Sequence, residues 1–352
     1  MDKYGIDSQK LIYHPRRVAE WLEGGLIYPL YIEVGPVARC QQNCVFCAFD
    51  YLKNKNGAIL DENYCKVLTM HASQMGVKAI MYAGEGEPLL HPGIETIVSN
   101  TKMHNIDVSM TTNGVKLDER RTLRFLPFLN WLRFSVDAAT PETYAKVHGC
   151  RKEHFARLDS NIRRTVEIKR ELHANCTIGV QAVLIPQNED EITRLARLAW
   201  SWGVDYFAVK PFSKHPSSIC DFDMEYGRLK VLEEQLRPIA TDDFKIIFRV
   251  NAMEKLDQSR PYEECLALSF ATYVDAAGYV YPCSMFLGQV EYTYGNIYEE
   301  CFPAIWEGKR RQCVMARLRQ EGVDRCREIC RLDEVNRYLW ALKHPPEHVN
   351  FI

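Results

Sequence analysis

Six short apolar segments alternate with stretches of helical periodicity through the first 210 residues of the chain. Several of these segments are β-branched and apolar on both faces, as buried parallel strands are. The clearest helical stretches, residues 154–173 and 190–202, carry apolar side chains at a spacing of three to four. The predicted strands are residues 29–35, 77–83, 107–112, 131–137, 177–185 and 206–212.

Six consecutive strand–helix units require parallel strands joined by right-handed crossovers. The sequence therefore predicts an α/β fold built on a partial (β/α)6 barrel of the TIM type. In such folds the chemistry lies at the carboxyl ends of the strands, and here polar residues follow five of the six strand ends. We expect these residues to meet in one site.

Three cysteines follow the first predicted strand: Cys40, Cys44 and Cys47, in the segment CQQNCVFC. Three thiolates can bind three irons of a [4Fe–4S] cluster and leave the fourth iron open, whereas ordinary electron-transfer clusters use four cysteines. Structural zinc is the alternative, but zinc usually takes four ligands in paired spacings, and no fourth ligand is evident nearby. The triplet favours a cluster with one open iron.

Composition narrows the class of protein. Thirteen cysteines are an odd number, which argues against a disulfide framework, and a reducing compartment makes thiolates available to metals. The net charge of -2 gives no support for binding to nucleic acid or to an acidic membrane. Because the N-terminal segment is polar and no apolar run approaches roughly 18 residues, we expect a cytoplasmic protein.

The cysteine spacing, the aromatic Phe46 before Cys47 and the position after a first strand resemble the radical SAM superfamily. The resemblance extends over residues 29–338. It implies that the open iron chelates the amino and carboxylate groups of S-adenosylmethionine (SAM). One electron then splits SAM into methionine and a 5′-deoxyadenosyl radical, which takes a hydrogen atom from the substrate. In such an enzyme the protein orients the cofactor and excludes water.

Three more motifs resemble segments of the SAM pocket in that family. GEGEP at 84–88 is similar to the GGEP motif that meets the SAM amino group, but its second position is Glu85 rather than glycine. TTNG at 111–114 resembles a pocket-lining segment, with a plain Asn-Gly turn as the alternative. FSVDAAT resembles fourth-strand residues near the ribose, although Ser and Asp also cap helices. The implied SAM contacts are Phe46, Gly84, Glu85, Gly86, Glu87, Thr111, Thr112, Asn113, Ser135 and Asp137.

The chain becomes cysteine-rich from about residue 261. Four of these cysteines can ligate one complete [4Fe–4S] cluster, or a zinc ion as the alternative. Their order, with the GNI segment and Trp306, resembles the C-terminal SPASM extension. The tight run of four cysteines is missing, so the resemblance is to the shortened twitch form, with one auxiliary cluster that relays electrons or clamps the structure. The implied ligands are Cys265, Cys283, Cys326 and Cys330.

The chain thus divides into an extension (1–28), a radical SAM core (29–212), a linker with a helix (213–260), a twitch/SPASM-like domain (261–338) and a tail (339–352). The loop after the sixth strand supplies the candidate catalytic residues. Lys210 and His215 are suited to hold a phosphate, carboxylate or hydroxyl of a substrate, although the loop can equally be solvated surface. Cys220 is a candidate hydrogen-atom donor, which requires an exposed thiol.

The shortened cluster domain resembles that of enzymes acting on carbohydrates and nucleosides, and the early first strand leaves no room for an N-terminal peptide-binding domain. We therefore expect dehydrogenation, epimerisation, dehydration or decarboxylation of a carbohydrate, aminocyclitol or nucleoside sugar, with flavodoxin or ferredoxin as reductant. One alternative is a maturase that crosslinks or epimerises a ribosomal peptide. The other is a non-catalytic iron–sulfur or zinc protein, which GEGEP and TTNG argue against because a redox carrier needs no SAM pocket.

Overall fold

The computed structural model describes residues 4–6, 8–52, 57–222, 229–249, 252–253 and 259–351. Ten strands of this part of the chain form one sheet. They are β1 (Tyr31–Val34), β2 (Ala79–Tyr82), β3 (Asp107–Thr112), β4 (Trp131–Ser135), β5 (Thr177–Leu184), β6 (Tyr206–Pro211), β7 (Lys245–Phe248), β8 (Ala271–Val274), β9 (Tyr279–Tyr281) and β10 (Gly295–Asn296).

The strands lie in the order β10-β9-β8-β1-β2-β3-β4-β5-β6-β7. From β8 to β7 all neighbours are parallel, while β9 and β10 are added antiparallel at one edge. Strands β1 to β6 lie within the six predicted segments. The α/β class and the parallel sheet are confirmed, and the arrangement is consistent with a partial barrel.

Helices connect the parallel strands. Side chains cap several of them: Asp61, Asp118 and Thr140 each accept a hydrogen bond from a backbone N–H in the first turn of the helix that follows. Within the described residues, no helix is long and apolar enough to cross a bilayer. The helices are α1 (Pro15–Leu22), α2 (Glu62–Gln74), α3 (Ile94–Met103), α4 (Glu119–Phe125), α5 (Pro141–Val147), α6 (Glu153–Glu171), α7 (Ile192–Trp202), α8 (Leu229–Leu236), α9 (Phe302–Glu307), α10 (Lys309–Glu321) and α11 (Asp333–Lys343).

The two faces of the sheet differ in polarity. In β4, Leu132 and Phe134 are completely buried in the main apolar core, while Arg133 between them is half-buried on the opposite face. Residues paired in register share a face, so that opposite face can be followed across the sheet. We call it the inner face, defined by Glu33, Thr111, Arg133, Lys210 and Tyr273.

Four strands join the sheet outside the six predicted segments, and two of them, β7 and β8, extend its parallel part. β7 lies in the segment predicted as a linker and pairs with β6. β8 lies in the cysteine-rich segment and pairs with β1 through four residues, so the sheet is continuous from the core into that segment. The predicted helix near residue 226 corresponds to α8, and its first residues lie outside the described part. The division into domains remains a prediction.

Candidate active site

The cysteine triplet lies on the loop after β1, at the carboxyl edge of the parallel strands. This loop is docked on the end of α5, since Asn43 N donates to His148 O (2.9 Å) and Val45 N donates to Val147 O (2.9 Å). Gly149 has φ +54, and a Cβ there would lie 2.3 Å from Asn43 O. Only glycine allows this close approach of the two backbones.

The GEGEP turn after β2 packs against the chain that leads into the cysteines. Gly84 has φ +110, which favours glycine. A Cβ on Gly86 would lie 2.1 Å from Val37 O, and Glu87 N donates to Arg39 O (2.9 Å). The turn and the cysteine loop therefore form one unit.

Glu87 links this unit to the TTNG segment. Its buried carboxylate accepts from Thr112 Oγ1 (2.5 Å) and Asn113 N (2.8 Å), while burial raises the pKa of Glu87. The Asn113 side chain accepts from Gln41 Nε2 (2.8 Å), and its Nδ2 lies 3.7 Å from Cys40 Sγ. Hydrogen bonds thus join the cysteine loop, the GEGEP turn and the TTNG segment.

Glu85, the departure from the family's GGEP pattern, turns towards β8 instead. Its carboxylate accepts from Tyr273 Oη (2.5 Å) and Ala276 N (2.9 Å). Burial, together with the charge of Asp275, raises the pKa of Glu85 to about 8. The space for this side chain exists because residue 35 is glycine, whose Cβ would lie 2.1 Å from Glu85 Oε2. The predicted contact of Glu85 with SAM stays a prediction, with its carboxylate committed to protein donors.

The Asp137 carboxylate also bonds to protein atoms in the interior. It is completely buried, Oδ1 accepts from Val183 N (2.6 Å), and Oδ2 lies 3.2 Å from Ser135 Oγ. Burial raises the pKa of Asp137 to about 7. Its backbone N and its Oδ2 both lie 3.3 Å from His148 Nε2, and the other ring nitrogen of His148 lies 3.3 Å from Cys44 Sγ. Sequence patterns gave no signal for His148.

Basic side chains gather on the inner face. Arg133 donates to Thr111 Oγ1 from Nε (3.2 Å) and Nη2 (3.0 Å). Burial, followed by the charges of Arg133 and Arg249, lowers the pKa of Lys210 to about 7. The guanidinium of Arg327 lies over the ring of Phe49, 5.8 Å from its centroid. Its Nε and Nη2 are buried and have no hydrogen-bond partner among the described residues.

His215 lies at the contact between the core and the cysteine-rich segment and is completely buried. Its ring stacks on Tyr51 at 4.6 Å, and Nδ1 accepts from Ser217 N (3.0 Å). Nε2 therefore carries the hydrogen and lies 3.2 Å from both Met285 O and Tyr51 Oη. Burial, then the charge of Arg327, lowers the pKa of His215 to about 4. The buried ring is held by protein atoms on both nitrogens.

Cys220 lies beside the cysteine loop and is half-buried. Its thiol donates to Asp50 Oδ2 (3.1 Å) and lies 4.0 Å from Cys47 O. Asp50 also accepts from Ile219 N (3.0 Å), which fixes the segment that carries Cys220. Burial, then the hydrogen bond to Asp50, raises the pKa of Cys220 to about 11, so the thiol keeps its hydrogen.

The four predicted auxiliary ligands come together from three separate stretches of chain. Burial and the neighbouring thiols raise the pKa of Cys265 well above its usual range and that of Cys283 to about 12. Cys265 Sγ lies 3.4 Å from Asn336 Nδ2, and Cys330 Sγ lies 3.4 Å from Leu332 N. Four half-buried thiols gathered in one site, two of them facing N–H donors, fit a completely ligated [4Fe–4S] cluster.

The triplet fits its cluster by the same reasoning. Cys40 Sγ and Cys44 Sγ face the side chains of Asn113 and His148, and hydrogen bonds of this kind stabilise metal-bound thiolates. Cys40, Cys44 and Cys47 would hold the cluster, and the glycine turn at 84–86 brings backbone close to them. The donor set therefore suits an iron–sulfur cluster with SAM beside it.

Comparison of the sequence with known proteins finds two kinds of relative, a cofactor-modifying protein and GTP 3′,8-cyclases. The tungsten-containing aldehyde ferredoxin oxidoreductase cofactor-modifying protein of Pyrococcus furiosus is 23% identical over 307 residues, covering 80% of this chain and 81% of the relative. Probable GTP 3′,8-cyclases of Methanothermobacter thermautotrophicus and Pyrobaculum aerophilum are 33% and 31% identical. These two matches cover 37% and 47% of this chain and 42% and 52% of the cyclases, so the chain matches about half of their length or less.

Solved structures share the fold. SuiB of Streptococcus suis bound to S-adenosylmethionine superposes with a TM-score of 0.66 at 18% identity, covering 87% of this chain and 72% of SuiB. Native anSMEcpe with bound AdoMet gives 0.56 at 15% identity, covering 90% and 99%. Residues 34–199 match the model of the radical SAM superfamily, and residues 265–331 match SPASM, an iron–sulfur cluster-binding domain. The chain belongs to the radical SAM superfamily and carries a C-terminal SPASM domain.

Proposed function

We propose that this radical SAM enzyme abstracts a hydrogen atom from a small sugar-like substrate that carries a phosphate or carboxylate, with flavodoxin or ferredoxin as reductant. When bound, the cluster and SAM supply the 5′-deoxyadenosyl radical. The observation that carries the substrate class is the excess of cations on the inner face, beside the cysteine loop. The chain's own residues bind the substrate's anionic group and orient the sugar.

The excess of positive charge is best seen around Lys210. Among the neighbouring charges, those of Arg133 and Arg327 depress its pKa, and the carboxylate of Asp137 opposes them. Glu33, another acid of the inner face, forms an ion pair with Arg331, and Glu85 accepts a hydrogen bond from Tyr273. Gathering like charges away from water is costly unless an anion joins them. Arginine suits this task because its planar fork binds carboxylate and phosphate in bidentate fashion.

The relatives named GTP 3′,8-cyclase support an anionic substrate, since GTP is a nucleotide. The matches cover only about half of the length of these cyclases. A peptide maturase is the second candidate. The observation in its favour is the superposition on SuiB bound to its precursor peptide SuiA, with a TM-score of 0.66. The two candidates predict different active compounds.

Pairs of compounds that differ only in an anionic group test the substrate class. Uridine with UMP, glucose with glucose 6-phosphate, and glucose with glucuronate are offered to reconstituted enzyme, and release of 5′-deoxyadenosine is measured. We expect 5′-deoxyadenosine release to be stimulated only by the anionic member of each pair.

Arg327→Gln should raise the KM of an active compound by about 10- to 100-fold, the effect of one lost hydrogen bond between charged groups.

The control for this prediction is Arg319→Gln, which removes the same charge from an exposed position paired with Glu264. It should leave KM unchanged. Iron content is measured for each variant because Arg327 follows a cluster ligand, and Lys210→Met provides a second test on a different strand. Stimulation by the neutral members, or by peptides alone, would contradict the proposal.

We further propose that Cys220 supplies a hydrogen atom where the substrate radical is reduced rather than oxidised. Its S–H bond breaks, a C–H bond forms on the substrate, and one electron from the reductant with one proton from the solvent restores the thiol. The half-buried position beside Cys47 and the fixed contact with Asp50 support this role.

In D2O, wild-type enzyme should place deuterium from the exchanged thiol at the reacting carbon of the product. Cys220→Ala should still release 5′-deoxyadenosine but form no deuterated product. Cys150→Ala, another half-buried thiol near the loop, is the matched control and should behave as wild type. Equal deuterium in the products of Cys220→Ala and wild type would remove Cys220 from the mechanism.

A further inference from the structure

His148 has no assigned role in the chemistry above, yet it touches a ligand of the SAM-binding cluster. Its Nδ1 lies 3.3 Å from Cys44 Sγ, and its exposed fraction is 1%. The contact joins residues 104 positions apart in the chain, so it depends on how α5 ends against the cysteine loop.

The chemistry of the ligand decides which ring nitrogen carries the hydrogen. A cysteine bound to iron is a thiolate, which only accepts hydrogen bonds. His148 Nδ1 must then be the donor, and Nε2 is left as an acceptor. The backbone N–H of Asp137 lies 3.3 Å from Nε2 and supplies the matching donor, while Asp137 Oδ2, also 3.3 Å from Nε2, would accept from the other tautomer. The negative charge of the iron-bound thiolate therefore selects the tautomer that donates to sulfur.

The ring is also held in place. Tyr144 stacks on it with centroids 4.1 Å apart, and Phe46 meets it edge-on at 5.8 Å. Tyr144 is fixed in turn, because its hydroxyl accepts from Gln42 Nε2 (2.8 Å) in the cysteine loop. A donor fixed in this way needs no rearrangement when the charge on the cluster changes.

Hydrogen bonds to the sulfurs of an iron–sulfur cluster stabilise the reduced form, which carries one more negative charge. We propose that His148 is a positioning residue that donates a hydrogen bond from Nδ1 to the Cys44 thiolate and thereby raises the reduction potential of the SAM-binding cluster. The Cys44 thiolate sets the tautomer, and Tyr144 and Phe46 fix the plane of the ring.

The test is the midpoint potential of the reconstituted full-length protein, followed by electron paramagnetic resonance. The signal that responds to added SAM identifies the relevant cluster. His148→Phe keeps a ring but has no donor, and we expect its potential to shift to a more negative value. His148→Asn places an amide N–H near the position of Nδ1 and should stay close to wild type. His104→Phe, at the opposite edge of the sheet, is the control.

Iron content of each variant separates loss of the cluster from a change of its potential. A second measurement can be made on the wild-type protein. Wild-type protein labelled with 15N-histidine should show a weak nitrogen coupling to the reduced cluster in pulsed electron paramagnetic resonance, and His148→Asn should lack this coupling. Equal potentials in wild type and a fully loaded His148→Phe would overturn the proposal. So would equal shifts in His148→Phe and His148→Asn, or no nitrogen coupling in wild type.

Discussion

The Cys47→Ala variant is expected to release no 5′-deoxyadenosine above background. Two thiolates cannot ligate three irons of a [4Fe–4S] cluster, so the cluster with one open iron is not assembled and SAM has no site to bind. The auxiliary cysteines lie on other segments, and their cluster should persist. Iron content should fall from about eight to about four atoms per chain, as two [4Fe–4S] clusters become one. Chromatography of the reaction with dithionite and SAM measures the product.

The control for this variant is Cys313→Ala, which removes an exposed thiol from α10. It should keep both the iron content and the cleavage of SAM. Retention of SAM cleavage by Cys47→Ala would be incompatible with the assignment of the triplet. Loss of all iron would show that the two clusters assemble together.

The Gly86→Ala variant should have the second largest effect. Its Cβ would lie 2.1 Å from Val37 O and 2.5 Å from Arg39 O, both backbone atoms that cannot rotate away. Overpacking of this kind typically costs about 1–3 kcal/mol. Because residues 37–39 lead directly into Cys40, the strain should displace the cysteine loop. We expect the affinity for SAM to fall by at least about tenfold, the equivalent of 1.4 kcal/mol, measured by equilibrium dialysis.

Gly295→Ala offers a matched control in β10. There the nearest atoms to a new Cβ belong to the side chain of Ile305, at 3.0 Å, and a side chain can shift. SAM affinity should stay within error of wild type. An unchanged affinity in Gly86→Ala would mean that the turn and the loop move independently, contrary to the hydrogen bond from Glu87 to Arg39.

Local sequence patterns were sufficient for the core strands and for the cysteine triplet. Buried parallel strands are short and apolar throughout, so β1 to β6 could be recognised one at a time. β7 has only four residues, KIIF, and β8 only four, ATYV. β1 and β2 are equally short but belong to the repeated strand–helix units, whereas β7 and β8 lie outside them and are assigned by their pairing with β6 and β1.

The predicted site shows the same division. The cysteine spacing and the glycine turn are local, and their hydrogen bonds in the structure bring them together. The roles of His148 and Arg327 depend on distant neighbours, such as Cys44 and Phe49, that no motif connects to them. Glu85 is instructive because its local pattern suggests a ligand contact, while Tyr273, 188 positions away, engages its carboxylate.

The pairing of β8 with β1 has a consequence for electron flow between the two clusters. The loop with Cys44 follows the carboxyl end of β1, whereas Cys265 precedes the amino end of β8, so the two groups of cysteines lie at opposite ends of one pair of hydrogen-bonded strands. We expect this pairing to keep the two sites at a fixed separation. An electron passing between the two sites would tunnel over a constant distance, and no docking movement would limit the rate of transfer.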